Sequence, residues 1–199
     1  MDDNNVSIRV HKDDLSDAVA WVARNLPTKN TQPVLRAVVI TADDTGLELA
    51  GFDYEVSTRV RISAEVAEPG RVAVAGKLMA DIISNMPAKP VEVSVDNSRL
   101  LLQGGSARFE LPLMPLDDYP VLPELPEVTG TLDTSTFVNA VTQVASAAGR
   151  DDTLPMLTGI HVEIRGAKMR LTATDRFRLA IRSLEWEPQS PDVEAKLLV

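Results

Sequence analysis

Apolar residues recur along this chain at two spacings, and the switches between them mark out its elements. Leu15, Ala18, Val19, Val22 and Leu26 fall at helical intervals. They predict a helix from Asp13 or Asp14, either a suitable N-cap, to the stop at Pro27. Leu78, Met79, Ile82, Ile83 and Met86 predict a second helix over 76–86. Phe137, Ala140, Val141, Val144 and Ala148 predict a third over 134–148. Elsewhere the β pattern prevails, with strands expected at 7–10, 35–41, 47–52, 54–66, 71–75, 91–95, 99–103, 107–111, 157–164, 169–174 and 177–184. Asp43–Gly46, Asp96–Asn97 and Gly104–Gly105 supply turns between them. Helices interspersed with runs of short antiparallel strands make the expected class α+β.

The pattern lapses over 114–130, where Pro115, Pro120, Pro123 and Pro126 alternate with acidic residues. Prolines fix φ and remove donors, so this stretch reads as an extended linker. It divides the chain into expected domains at 1–122 and 123–199.

The two parts carry one pattern. A single ungapped shift of 122 residues lays Ala18, Val19, Val22 and Ala23 on Ala140, Val141, Val144 and Ala145. It also lays Pro33 on Pro155, Leu35 on Leu157, Leu49 on Leu171 and Asp53 on Asp175. A duplicated module is expected. After the shared aspartate the copies part: Tyr54-Glu55-Val56-Ser57 against Arg176-Phe177-Arg178-Leu179. The apolar alternation slips there by one residue, which means either a surface with its own task or a local bulge. Leu197–Val199 falls roughly on Val72–Val74, so the second copy is expected to be incomplete, part of a longer protein, with open sheet edges.

Composition narrows the chemistry. The absence of cysteine removes disulfides, thiolate metal sites and cysteine nucleophiles. No signal peptide or membrane-spanning run is apparent in the sequence, so a cytoplasmic protein with no membrane partner is expected. A net charge of −9 argues against a protein that grips DNA tightly, but not against one that surrounds it loosely. Gly70–Lys77 has the wrong glycine spacing for a phosphate loop, and Leu78 stands where Ser or Thr would bind magnesium. His11 and His161 have no nucleophile pattern beside them, and Asp53 and Asp175 suit the same turn-capping task performed twice. Neither enzyme activity, cofactor nor metal is expected.

The strings GFDYEVSTRV, AVAGKLMADI, SARFELPLMPLDDYP, RDDTLPMLTG and TATDRFRLA, in that order, resemble the bacterial sliding clamp family, the beta subunit of DNA polymerase III. The resemblance spans essentially the whole chain, as the first domain and about half of the second. It implies the DNA clamp fold, in which helices line a hole around duplex DNA and sheets form the outside. It implies a head-to-tail homodimer ring that acts as a non-catalytic processivity factor in DNA replication. The implied partners are duplex DNA, the DNA polymerase III alpha subunit, the clamp loader and other proteins bearing a clamp-binding motif.

The resemblance carries Lys29, Lys77 and Arg150 over as DNA-facing positions. Arg24, Asn139 and Gln143 join them from their places on helices or at helix ends. A partner-peptide pocket is implied at Leu157, Thr174, Arg176, Phe177, Arg178 and Leu179, with Pro155 and Met156 beside it. Many family members have Gly-His where this chain has Arg176-Phe177, so peptide preference is expected to differ. The subunit interface falls on 107–111, with Phe109 and Leu111 as apolar anchors. The competing expectations from other classes are an acidic protein-binding scaffold that never encircles DNA and an aspartate-based hydrolase.

Overall fold

The computed structural model describes residues 5–27 and 32–199. Two compact units divide the chain at Glu124/Leu125.

Unit 1 opens with β1 (Ser7–Val10) and α1 (Lys12–Arg24). The N-cap of α1 is His11, which makes no side-chain cap hydrogen bond. Asp13 and Asp14 lie in the first turn, where their charge meets the positive end of the helix dipole. The strand expected from Leu35 begins later. Pro33–Arg36 is a 3-10 turn, with Pro33 in its first turn, and β2 runs Ala37–Asp43. β3 (Gly46–Phe52) returns through a turn at Gly46, whose φ of 124° only glycine adopts readily. The long strand expected over 54–66 is two: β4 (Ser57–Ile62) and β5 (Glu65–Glu68). β6 (Gly70–Ala75), α2 (Gly76–Ser84), β7 (Val91–Asp96), β8 (Arg99–Gly104) and β9 (Ala107–Met114) complete the unit.

The strands form one sheet in the order β4-β3-β2-β6-β9-β8-β7-β1-β5. β4 and β5 stand at its opposite ends yet are joined through Ser63 and Ala64 alone. The sheet therefore curls until its ends approach each other, with α1 and α2 against one face. Leu15, Val19 and Val22 of α1 and Met79 and Ile83 of α2 are buried with Leu47, Leu49, Leu100, Leu102 and Leu111. Each such side chain contributes roughly 1.5–3 kcal/mol on removal from water.

The proline-rich stretch is not a free linker throughout. Leu116, Tyr119 and Leu122 pack on the opposite face of the sheet with Ala37, Val39, Phe52 and Ala73. The Phe52 amide donates to the Tyr119 hydroxyl at 2.8 Å, and Arg59 Nη2 donates to the Pro123 carbonyl at 2.6 Å.

Unit 2 repeats the first half of this plan. β10 (Gly130–Thr131) and α3 (Thr134–Ala145) come first, the helix capped by Asp133, whose carboxylate accepts from the Thr136 amide at 2.8 Å. A 3-10 turn at Pro155–Leu157 again replaces the start of an expected strand. Then come β11 (His161–Arg165), β12 (Lys168–Thr174), β13 (Leu179–Glu185), β14 (Glu187–Pro188) and β15 (Glu194–Leu198). The main sheet is ordered β13-β12-β11-β15, and β10 pairs with β14. A smaller core of Ala140, Val144, Met169, Leu171, Ala173 and Leu184 lies between α3 and the sheet.

The pairing makes the repeat quantitative. Ile40 faces Leu49 and Val162 faces Leu171; Leu47 faces Ile62 and Met169 faces Leu184. The shift of 122 residues carries each first-copy pair onto its second-copy counterpart. Val72 faces Ile40 as Leu197 faces Val162, so β15 is the counterpart of β6 after three extra residues.

Candidate peptide-binding surface and helix faces

The β12–β13 turn is built by two side chains. Asp175 Oδ1 accepts from the amides of Phe177 at 3.1 Å and Arg178 at 3.0 Å. Thr174 Oγ1 donates to the Arg178 carbonyl at 2.7 Å. Arg178 Nε reaches Asp175 Oδ2 at 2.8 Å, and this bond, with the two amides, holds the carboxyl below the usual carboxylate range. Arg176 sits at φ 80°, in the left-handed region, with its guanidinium 5.9 Å from the centre of the Phe177 ring. Copy one builds the same turn: Asp53 Oδ1 accepts from the Glu55 and Val56 amides, and Tyr54 has φ 74°.

The β12–β13 register continues without a break from Lys168↔Glu185 to Thr174↔Leu179. The apolar slip is therefore neither a bulge nor a change of register; backbone and pattern have separated. Leu179 and Ile181 stand where copy one has Ser57 and Arg59, on the outward face, and are 62% and 57% exposed. Phe177, at the tip, is 90% exposed. Apolar side chains grouped on an outward face mark contact surfaces more often than isolated ones do.

Leu157, Arg176 and Phe177 come together around a cleft of about 180 Å³, which Leu154, Asp175, Gly149, Arg150 and Asp151 also line. The Gly149 amide donates to the Leu157 carbonyl at 2.7 Å, tying the end of the α3 loop to the 3-10 turn. Leu154 lies outside the residues expected from the sequence, although its place just before Pro155 is a usable signal. Pro155 and Met156 are exposed on the turn beside the cleft; Thr174, Arg178 and Leu179 lie across the β-turn and do not line it. Arg150, read from the sequence as DNA-facing, is on this cleft.

Arg24 is exposed in the last turn of α1, whose outer face also carries Asp13, Asp14, Asp17 and a half-exposed Trp21. Lys77 is exposed in the first turn of α2. Asn139 and Gln143 are exposed on α3. Ser135, Thr136, Thr142 and Ser146 are exposed with them, beside Phe137 and Val138, so the outer surface of this helix carries hydroxyls, amides and apolar groups but no charge. Lys29 lies outside the described residues.

Phe109 is exposed on β9, but Leu111 is fully buried in the unit 1 core opposite Leu100 and cannot serve as an outward anchor. Two residues apart, Phe109 and Leu111 share one face of the strand, opposite Leu102 and Leu100 of the core, and Phe109 is exposed only nearer the strand's start. β9 pairs with β6 only through Leu113 and Met114, so the edge of 107–112 away from β8 has no partner strand among the described residues.

Two family models match the chain in order: the N-terminal domain of the DNA polymerase III beta subunit over residues 6–123, and its central domain over residues 131–199. This chain belongs to the DNA polymerase III beta subunit family. Beta sliding clamps from Streptomyces coelicolor and Micrococcus luteus are 49% and 45% identical to it over 98% and 96% of its length. The chain covers 52% and 61% of those two proteins, and so spans little more than half the length of these curated relatives. The Bacillus subtilis sliding clamp superposes over 98% of this chain and 54% of its own, with a TM-score of 0.89 at 25% identity. A sliding clamp from Pseudomonas aeruginosa, solved bound to griselimycin, superposes over 98% of this chain and 53% of its own, with a TM-score of 0.83 at 28% identity. The architecture is thus the clamp fold of this family, α+β with antiparallel sheets. Among the described residues, no acidic or histidine cluster suited to a metal ion is present, and no helix is long and apolar enough to cross a membrane.

Proposed function

We propose that the chain is the DNA-encircling and partner-binding part of a sliding clamp: a non-catalytic processivity factor that surrounds duplex DNA in the cytoplasm and tethers the replicative polymerase. The observation that carries this reading is the ordered match of both domain models along one chain. The uncharged outer face of α3 supports it, because hydroxyls and amides meet phosphates without the firm ion pairs that would pin a ring in place. Arg24 and Lys77, exposed at helix ends, supply cations that reach the DNA backbone, and the family likeness adds Lys29 and Arg150 to them.

Pro155, Met156, Leu157, Thr174, Arg176, Phe177, Arg178 and Leu179 form one side of a peptide site. Clamp-binding segments of the polymerase alpha subunit, the clamp loader and other partners dock there through Leu or Phe side chains. The 180 Å³ cleft and the exposed Leu179 support this, and the griselimycin-bound relative shows that a clamp of this family takes up a ligand. The half-open edge of β9, with Phe109 beside it, is the surface for a second subunit in a head-to-tail dimer.

The full-length subunit, loaded on circular duplex DNA, stays bound and runs off when the circle is cut. Retention that is indifferent to linearisation overturns encirclement. It would favour the competing acidic scaffold, which the net charge of −9 and the acidic outer face of α1 suit. Leu157→Ala with Leu179→Ala abolishes binding of a polymerase-derived peptide, and unchanged affinity would mean that the pocket is misplaced.

A further inference from the structure

Most of the stretch between the two units is not free chain. β9 ends at Met114, and the chain then crosses the outer face of the unit 1 sheet. Leu116, Tyr119 and Leu122 pack on Ala37, Val39 and Ala73, and Tyr119 is only 7% exposed. The Tyr119 amide donates to the Leu116 carbonyl at 2.9 Å, closing a turn. Two bonds from neighbouring strands fasten the segment: the Phe52 amide of β3 to the Tyr119 hydroxyl, and Arg59 Nη2 of β4 to the Pro123 carbonyl.

The chain is next held in unit 2. There the Gln189 amide donates to the Thr129 carbonyl at 2.8 Å, and Gly130 pairs with Pro188. Residues 124–128 between these anchors are all exposed and make no hydrogen bond among the described residues. Extended chain from Pro123 to Thr129 spans at most roughly 20 Å, whereas from Met114 to Thr129 it spans roughly 50 Å. Docking of the segment therefore turns a long tether into a short one.

The hold is incomplete. Arg59 Nε, on the same guanidinium that holds Pro123, is buried without a hydrogen-bond partner among the described residues. This unmet donor regains water when the segment lifts. Asp117 and Asp118 on the segment are exposed. A surface segment with few buried side chains opens locally before the core does.

We propose that 115–123 is a strap that sets the length of the tether between the units. Docked, it leaves 124–128 as the hinge. Lifted, it releases 115–128 and lets the units part further while both cores stay folded. Tyr119 and Arg59 are its fasteners. The device is independent of the cleft at Leu157 and of what either unit binds.

The chain has no cysteine, so Asp44→Cys in unit 1 and Ala167→Cys in unit 2, both exposed, take a pair of spin labels. Double electron–electron resonance then reads the spread of distances between the units. Tyr119→Ala with Arg59→Ala broadens that spread and adds separations about 10 Å longer than those of the parent. A Gly-Ser insertion after Leu125, which lengthens the hinge and leaves the strap docked, broadens it too. Hydrogen exchange at Leu100 and Leu102 of β8 keeps the parent rate, while the Phe52 amide exchanges at least tenfold faster in the double variant. Should Leu100 lose protection, Arg59→Ala alone carries the test, because it removes no core side chain, and it broadens the spread in the same sense. An unchanged spread in the variant whose β8 stays protected overturns the proposal. So does an unchanged spread on insertion, because packing rather than chain length then holds the units.

Discussion

The turn after β3 and the turn after β12 are the same object with opposite surroundings. Both have an aspartate that accepts from two successive downstream amides, and both have a non-glycine residue in the left-handed region. Both lead into a strand paired in the same register. In copy one the outward positions of that strand are Ser57, Arg59 and Arg61, and the chain's own 114–122 segment covers the neighbouring face. In copy two the outward positions are Leu179, Ile181 and Ser183, all exposed and the first two apolar. A backbone held fixed by turn capping and register lets side chains on its outer face change without disturbing the fold. One copy has used that freedom for polar residues, the other for an exposed apolar surface.

The helices differ in the same sense. Leu15, Val19 and Ala23 of α1 are buried, while Phe137, Val141 and Ala145 at the matching positions of α3 are exposed or only half-buried. α1 packs against α2 as well as the sheet, and α3 packs against β12 and β13. Leu15→Ala therefore removes a fully buried side chain and costs about 3 kcal/mol. Phe137→Ala, at a site 40% exposed, costs under about 1.5 kcal/mol despite the larger side chain. Denaturant melts of the two variants check the comparison, and equal losses would mean that the stripe on α3 is covered in solution.

The parts of this molecule set by periodicity could be read from the sequence. The three helices and most strands follow from spacing, and the repeat follows from an ungapped shift that strand pairing reproduces. The errors have a common physical origin. Leu35 and Leu157 look like strand starts because they are apolar and sit beside β-branched residues. Proline at the head of each instead sets φ for a 3-10 turn, and both copies make the same departure. Docking of Tyr119 and Leu122 was hidden because proline-rich composition says only that a segment is extended, not what it lies against. Leu111 alternates with Glu110 and Pro112 as a core residue does; the family likeness, not the pattern, offered it as an outward anchor. At the candidate site the residues came from family likeness; the sequence could not say that Leu157 and Phe177 share a cleft while Leu179 faces another way.

The covering of copy one can be broken at a single atom. Tyr119→Phe keeps the ring packed and leaves the Phe52 amide without its acceptor, a loss of about 1–2 kcal/mol for a part-buried donor. Hydrogen exchange at the Phe52 amide should accelerate in this variant while β12 is unaffected. Protection that persists would show that the hydroxyl is incidental to the docking of 114–122.

The smallest effect concerns the shared turn itself. Arg178 and the two amides depress the Asp175 carboxyl. A depressed folded-state value means that ionisation favours the folded turn. That contribution is present above the ordinary carboxylate range and is lost as pH falls below about 4, through the lower folded value. The amide resonances of Phe177 and Arg178 should report it, shifting together in one acid titration while the fold persists. Arg178→Ala removes the largest cause of the depression, so the same titration should move to higher pH and the two amides should lose protection first. If the transition stays where it was, the two amides alone hold the carboxylate. The two turns would then be alike in energetics as well as geometry, and the differences between the copies would lie wholly in the side chains that follow.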